Sequence, residues 1–256
     1  MDDCGLFDQQ AAHWDQWAPF YDSDSVGHLD HRPAVDLLAE LAGAGPALEL
    51  GIGTGRVALP LADRGVPISG IDASPEMIDV LHRHRGDRKI DARIADMANF
   101  RPPTSSPFPL IYVTSSTFFL LGTAQRQIAC LRSVADSLTV DGCFAIEASF
   151  PDVITAQGQQ VIVRDVDDSH LRLTIQAHDP VGQLVTSQEI RLQSDGTWRM
   201  LPSVRRYVSP AELDLMAQLA GLQLRDRYGG WDRSPLTTTS TRHVSIYRRG
   251  KVDRFA

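Results

Sequence analysis

Three glycines alternate within five residues, Gly51-Ile52-Gly53-Thr54-Gly55, directly after the apolar tetrapeptide Ala47-Leu48-Glu49-Leu50. A short buried strand that runs into such a turn, with a helix behind it, leaves few options for the fold. Glycines at that point let a ligand approach the backbone closely, and the turn aims amide N–H groups at it. The spacing departs from the dinucleotide pattern GxGxxG, because the third glycine comes one residue early and Arg56 stands where the last glycine would be. No Lys-Ser/Thr pair follows, so the turn is not a P-loop either.

The flanking pattern alternates strands with helices. Val35, Leu38, Ala39 and Ala42 predict a helix over 33–43, ended by Gly43-Ala44-Gly45-Pro46. A second helix is expected to run from the glycine turn to Gly65, kinked at Pro60. Residues 66–71 read as a second strand, and Asp72-Ala73-Ser74-Pro75-Glu76-Met77 as its end and the start of a third helix. Ser74 suits the N-cap there and Pro75 the first helical position. Residues 92–96, 110–113 and 144–148 predict three further strands, with a helix over 123–138 between the last two. This alternation predicts an α/β chain with a parallel, doubly wound sheet.

From 160 to 208 the pattern changes. Residues 161–166, 171–177, 184–192 and 198–208 have strand character, separated by turn signals at Asp167-Asp168, Pro180-Val181-Gly182 and Asp195-Gly196. They predict an antiparallel β insertion. A capping box at Ser209-Pro210-Ala211-Glu212 opens one more helix, and residues 222–228 and 243–248 give two final strands, seven in the main sheet.

Composition narrows the partners. The chain has 256 residues and a net charge of −7, which argues against nucleic acid or an anionic membrane as the main partner. Its 25 basic residues include only two lysines, Lys89 and Lys251, a bias that reads as genome composition. Cys4, Cys130 and Cys143 form no metal-binding or disulfide pattern, so no metal is expected. The acidic start, Met1-Asp2-Asp3-Cys4, and the lack of a long apolar run predict a cytoplasmic, reduced protein.

Asp72 lies at the end of the second strand, 21 residues after Gly51, where a carboxylate can accept both hydroxyls of a ribose. Asp96 ends the third strand. Successive parallel strands bring their C-terminal ends to one rim, so Glu49, Asp72 and Asp96 gather there. The motif Glu49-Leu-Gly-x-Gly-x-Gly with Asp72 and Asp96 at this spacing resembles the class I S-adenosylmethionine-dependent methyltransferases, over residues 30–150 and again over 209–248. The resemblance implies a seven-stranded Rossmann-like sheet and S-adenosylmethionine as cofactor. It implies that Glu49 takes part in the cofactor site and that Gly51, Gly53 and Gly55 accommodate the methionine portion. Asp72 would bind the ribose, Ala73 or Met77 would pack on the adenine, and Asp96 with the Met97 backbone would meet the adenine edge. Thr114 and Ser115 would lie beneath the methyl, and Arg32 is a candidate for the cofactor carboxylate.

The segment Trp14-Asp15-Gln16-Trp17-Ala18-Pro19-Phe20-Tyr21-Asp22 resembles the lid of small-molecule methyltransferases, with Tyr21 covering the cofactor; a helix docked by its aromatics is the competing reading. Residues 1–32 are thus expected to form a lid segment. Residues 33–158 with 209–256 would form the cofactor-binding sheet, and 159–208 a substrate cap. Lid and insertion together resemble glycine N-methyltransferase and the aminosugar N,N-dimethyltransferases. Expected chemistry is methyl transfer to a nitrogen or oxygen of a small molecule from a natural-product pathway, with homodimerisation open. Glu147, His178 and Tyr207 are the candidate general bases, His178 first because its ordinary pKa is near neutrality. A protein that binds S-adenosylmethionine without methylating, and a nicotinamide-dependent oxidoreductase, are the alternatives.

Overall fold

Ala47–Leu50 is buried at all four residues and forms β1, the middle of the main sheet. In the computed structural model, residues 3–23, 30–102, 106–150, 159–166, 171–192 and 196–250 are described. The turn at Asp167-Asp168 and residue Asp195 lie outside them.

The main sheet continues with β2 (Ile68–Asp72), β3 (Ile90–Ile94), β4 (Phe108–Val113) and β5 (Leu138–Ser149), all parallel. Four antiparallel strands follow in a separate sheet: β6 (Gln159–Val166), β7 (Leu171–Asp179), β8 (Leu184–Leu192) and β9 (Trp198–Arg206). The chain then returns to the first sheet with β10 (Leu222–Tyr228) and β11 (Arg242–Arg249), giving the order β10-β11-β5-β4-β1-β2-β3. The order reverses between β1 and β4, so the glycine turn after β1 sits where open α/β sheets form a crevice.

Alternation along the buried strands supplies two cores. Ile111 and Val113 of β4 pack with α5 (Ala124–Ser137) and α6 (Pro210–Leu219) through Leu131, Val134, Leu213 and Met216. Leu110 and Tyr112, one residue out of phase, face α2 (Arg32–Ala42) and α3 (Ala58–Asp63) through Val35, Leu38 and Leu61. Both faces of a parallel sheet are thereby covered, which is why these strands read as continuous apolar runs.

Two expected elements differ. The helix after the glycines begins only at Ala58, so Pro60 falls in its first turn, where an N–H has no helical partner to lose. No kink is needed there. The third strand spans Ile90–Ile94, which leaves Asp96 two residues beyond its end.

The N-terminal segment is a helix, α1 (Asp3–Trp17), docked by its aromatics. Trp14, Trp17, Ala18 and Tyr21 pack on Met77 and Val80 of α4 (Pro75–His84) and on Leu201 of β9. Asp15 adds a polar tie, accepting from the Ser74 hydroxyl at 2.6 Å and the Glu76 amide at 3.3 Å. Ser74 in turn caps α4 by accepting from the Met77 amide at 3.1 Å. Helix α1 therefore lies between the rim of the main sheet and the antiparallel sheet. No helix among the described residues is long and apolar enough to cross a membrane.

Candidate functional site

Gly51 and Gly53 open the turn in the left-handed region, at φ 71° and 55°. A Cβ on Gly51 would lie 2.5 Å from Thr117 Cγ2, whereas one on Gly53 would meet no atom within 4 Å. The first glycine is thus required by packing, and the second keeps the turn open toward the cavity beside it. Asp72 holds the turn: one oxygen accepts from the Gly53 amide at 2.7 Å, the other from the Ser74 amide at 2.9 Å. Burial raises the Asp72 carboxyl above its ordinary pKa, against the pull of those donors.

The turn borders a cavity on the rim of the main sheet. Of the expected residues, Tyr21, Gly51, Gly53, Asp72, Ala73, Met77, Asp96 and Met97 all line it. The end of β2 delivers Asp72, the loop after β3 delivers Asp96, α4 delivers Met77, and α1 closes the far side with Phe7, Gln10 and Trp14. The Gln10 side-chain amide donates to the Leu120 carbonyl, tying the helix to a 3₁₀ turn at Thr117–Leu121.

Arg126, from the first turn of α5, also lines the cavity and was not anticipated. One of its terminal nitrogens donates to both Asp96 oxygens at 2.9 Å, and the Ala98 amide donates to Oδ1 at 2.8 Å. Asp96 is therefore a fixed acceptor and not a freely solvated carboxylate. A single arginine at a helix start carries no signal that could have revealed this pairing.

Glu49 lies behind the turn and does not line the cavity. It is 2% exposed and accepts from the Tyr112 hydroxyl at 2.9 Å. Burial pushes its pKa up to about 8, opposed first by that hydrogen bond and then by the charge of Arg56. Arg56 did have a signal, its place directly after the last glycine. Its guanidinium donates to the Ser115 hydroxyl and lies 5.5 Å from the Tyr21 ring centroid, a cation–π contact.

The other expected residues lie away from this cavity. A Cβ on Gly55 would lie 2.3 Å from Leu81 Cδ1 and 3.1 Å from Leu59 Cγ, so this glycine serves close packing of helices and does not border the cavity. Thr114 and Ser115 line a separate opening with Glu147, Trp231 and Arg242. Glu147 is held at both oxygens: one accepts from the Ser115 amide at 2.7 Å and the other from Arg242 at 2.8 Å. It holds a strained turn, since Ser115 and Ser116 have φ of 55° and 60°. His178 and Tyr207 bond to each other at 2.9 Å and line neither cavity. His178 is four residues along β7 from Thr174, about 13 Å at strand rise. Arg32 pairs with Asp30 at 2.8 Å and is largely in solvent.

A second cavity, about 920 Å³, adjoins the first and shares Trp14, Tyr21 and Leu120 with it. Its other wall is the inner face of the antiparallel sheet, including Thr174, Ser187 and Glu189. On the α1 side of this cavity, burial followed by the charge of Arg205 lowers the pKa of His13 to about 4. The arrangement places one compartment beside a larger one, with α1 as their common roof.

Residues 47–142 match a family model described as a methyltransferase domain. Over 94% of its length the chain superposes on the CcbJ methyltransferase from Streptomyces caelestis, covering 99% of that chain with a TM-score of 0.88 and 33% identity. The cypemycin N-terminal methyltransferase of a Streptomyces species is 28% identical over 205 residues, 79% of this chain and 82% of that protein. CalS10, an amino pentose methyltransferase from Micromonospora echinaspora, shares the fold at a TM-score of 0.68 and 17% identity, over 91% of this chain and 96% of that one.

Proposed function

Because the chain belongs to the class I S-adenosylmethionine-dependent methyltransferases, we propose that it methylates an amine nitrogen of a small natural-product intermediate held in the cavity under the antiparallel sheet. When bound, S-adenosylmethionine supplies an electrophilic methyl group on a sulfonium. The chain's residues fit that cofactor: the Gly53 backbone is open to the cavity, and Asp72 borders the same space. In this reading Asp72 accepts the ribose hydroxyls while its other contacts keep it fixed. Asp96, anchored by Arg126, and the Met97 backbone meet the adenine edge, and Ala73 and Met77 pack on its face. Tyr21, with Arg56 against its ring, closes the methionine end and keeps water out.

The choice of nitrogen over oxygen rests on one observation. The described residues that line the larger cavity offer two proton acceptors for a hydroxyl, His13 and Glu189, and neither is well suited. His13 has a pKa near 4 and is a weak base at neutral pH. Glu189 lies 3.7 Å from Arg191. A hydroxyl acceptor benefits from a general base. An amine that arrives neutral attacks with its own lone pair, and the proton is lost to solvent afterwards. The residues then act by positioning, which can supply much of the rate of an in-line displacement. The printed name of the cypemycin N-terminal methyltransferase supports the same choice.

The test is turnover to S-adenosylhomocysteine, with mass spectrometry of the product, against matched amines and phenols. Methylated amines are the expected products. Turnover confined to hydroxyl acceptors would overturn the nitrogen assignment. Asp72→Asn should weaken S-adenosylhomocysteine binding at least tenfold in calorimetry, since a charged hydrogen bond contributes about 1.5–3 kcal/mol; an unchanged Kd would remove the ribose role.

A further inference from the structure

The inner face of the antiparallel sheet is charged where a sheet face turned toward a core is usually apolar. The register places Thr174 opposite Glu189 and Ser187 opposite Ser203, so alternate residues of β7, β8 and β9 share one face. Arg164, Arg172 and Arg205 come from three of the four strands and line the same 920 Å³ cavity. Glu189 is the one carboxylate among its described lining residues. Two more arginines of this face are engaged with the α1 segment: Arg191 lies 5.1 Å from the Trp17 ring centroid and 4.9 Å from that of Phe20, and Arg199 lies 5.4 Å from Phe20. They clamp the roof. The other three surround the space beneath it.

We propose that Arg164, Arg172 and Arg205 form an anion subsite, so that the acceptor presents a carboxylate or phosphate to the sheet while its nucleophilic end points toward Tyr21 and the cofactor cavity. This rests on the reading of the larger cavity as the acceptor site. Among the described lining residues, three guanidinium groups from three strands converge on one space beside the cofactor cavity. Hydroxyl contacts orient two of them: Arg164 donates to Thr174 Oγ1 at 3.0 Å and Arg205 to Ser187 Oγ at 3.3 Å. Burial and then the neighbouring charge of Arg164 lower the pKa of Arg205, with Glu189 opposing. Planar guanidinium groups suit both candidate anions, because each can be held through paired N–H donors.

The test needs no knowledge of the natural acceptor. Inorganic phosphate and benzoate are titrated into the full chain loaded with S-adenosylhomocysteine, with Trp14 and Trp17 fluorescence as the readout and a sodium chloride series to remove general screening. Saturable binding of at least one anion is expected, with competition between them if both bind, and their relative affinities tell carboxylate from phosphate. Arg205→Met should weaken binding at least tenfold. Arg164→Met, at an exposed position that folding tolerates, should weaken it several-fold. Both variants should bind S-adenosylhomocysteine as the wild type does, which shows that they are folded. Failure of both anions to bind, or equal binding to the wild type and both variants, would overturn the subsite. Turnover of amino acids and of their amides separates the two readings. If both turn over equally, the subsite fails and the methyl transfer stands. If anions bind saturably but no amine is methylated, the subsite stands and the amine assignment fails.

Discussion

Glu49→Gln should stabilise the cofactor-free protein, and by more as the pH rises. The carboxyl is buried in the centre of the sheet beside Tyr112, and its pKa is pushed from 4.5 to about 8. Between those values the unfolded chain has released a proton that the folded chain still holds. The unfolded state therefore binds fewer protons, and stability contributed by this group falls as pH rises through that window. At about 1.36 kcal/mol for each pH unit above 4.5, the loss is roughly 1 kcal/mol at pH 5.5 and roughly 4 kcal/mol at pH 8. Glutamine has nearly the same shape and no charge, so it does not incur that cost. Any fixed consequence of the amide, such as a changed bond to Tyr112, is the same at both pH values and cancels in the comparison. Urea denaturation of both proteins at pH 5.5 and 8.0 measures the effect, through midpoints at constant slope. The advantage of the variant should grow by about 3 kcal/mol between the two. A variant that tracks the wild type to within ~0.5 kcal/mol at both pH values would show that Glu49 is not held protonated by burial.

Other expectations follow from the same geometry. Gly55→Ala should cost about 1–3 kcal/mol in urea midpoint, because the new methyl meets Leu81 and Leu59 at a φ of 87°; an unchanged midpoint would contradict the packing role. Asp15→Ala should raise the KM for S-adenosylmethionine more than it lowers kcat, since it frees α1 from Ser74 and Glu76. His178→Gln should lower turnover less than about threefold, where loss of a general base costs about 10²–10⁴-fold.

Much of the fold was legible because its signals are local. The glycine turn, the Ser74 and Ser209 caps and the two-residue alternation of the antiparallel strands each need only neighbours in sequence. The cavity lining from Gly51 to Met97 was legible for a related reason. In a parallel sheet, strand ends that carry a glycine turn or a carboxylate arrive at one rim by topology alone. The residues whose surroundings were not legible share the opposite character. His178, Glu147 and Tyr207 have suitable chemistry, yet whether a side chain faces a cavity depends on partners far along the chain. His178 meets Tyr207, and Glu147 meets Arg242, 95 residues away.

The sequence by itself determined which residues gather around the glycine turn, because that rim is written in backbone conformation and in residues at or just beyond the ends of adjacent strands. Only the tertiary structure decided what lines the second cavity. Arginines that read as a compositional bias converge from β6, β7 and β9 on one cavity, while others clasp Trp17 and Phe20. A strand's alternation says which residues share a face, but not which face is turned inward. That choice is made when α1 packs across the sheet, and no residue pattern within a single strand encodes it.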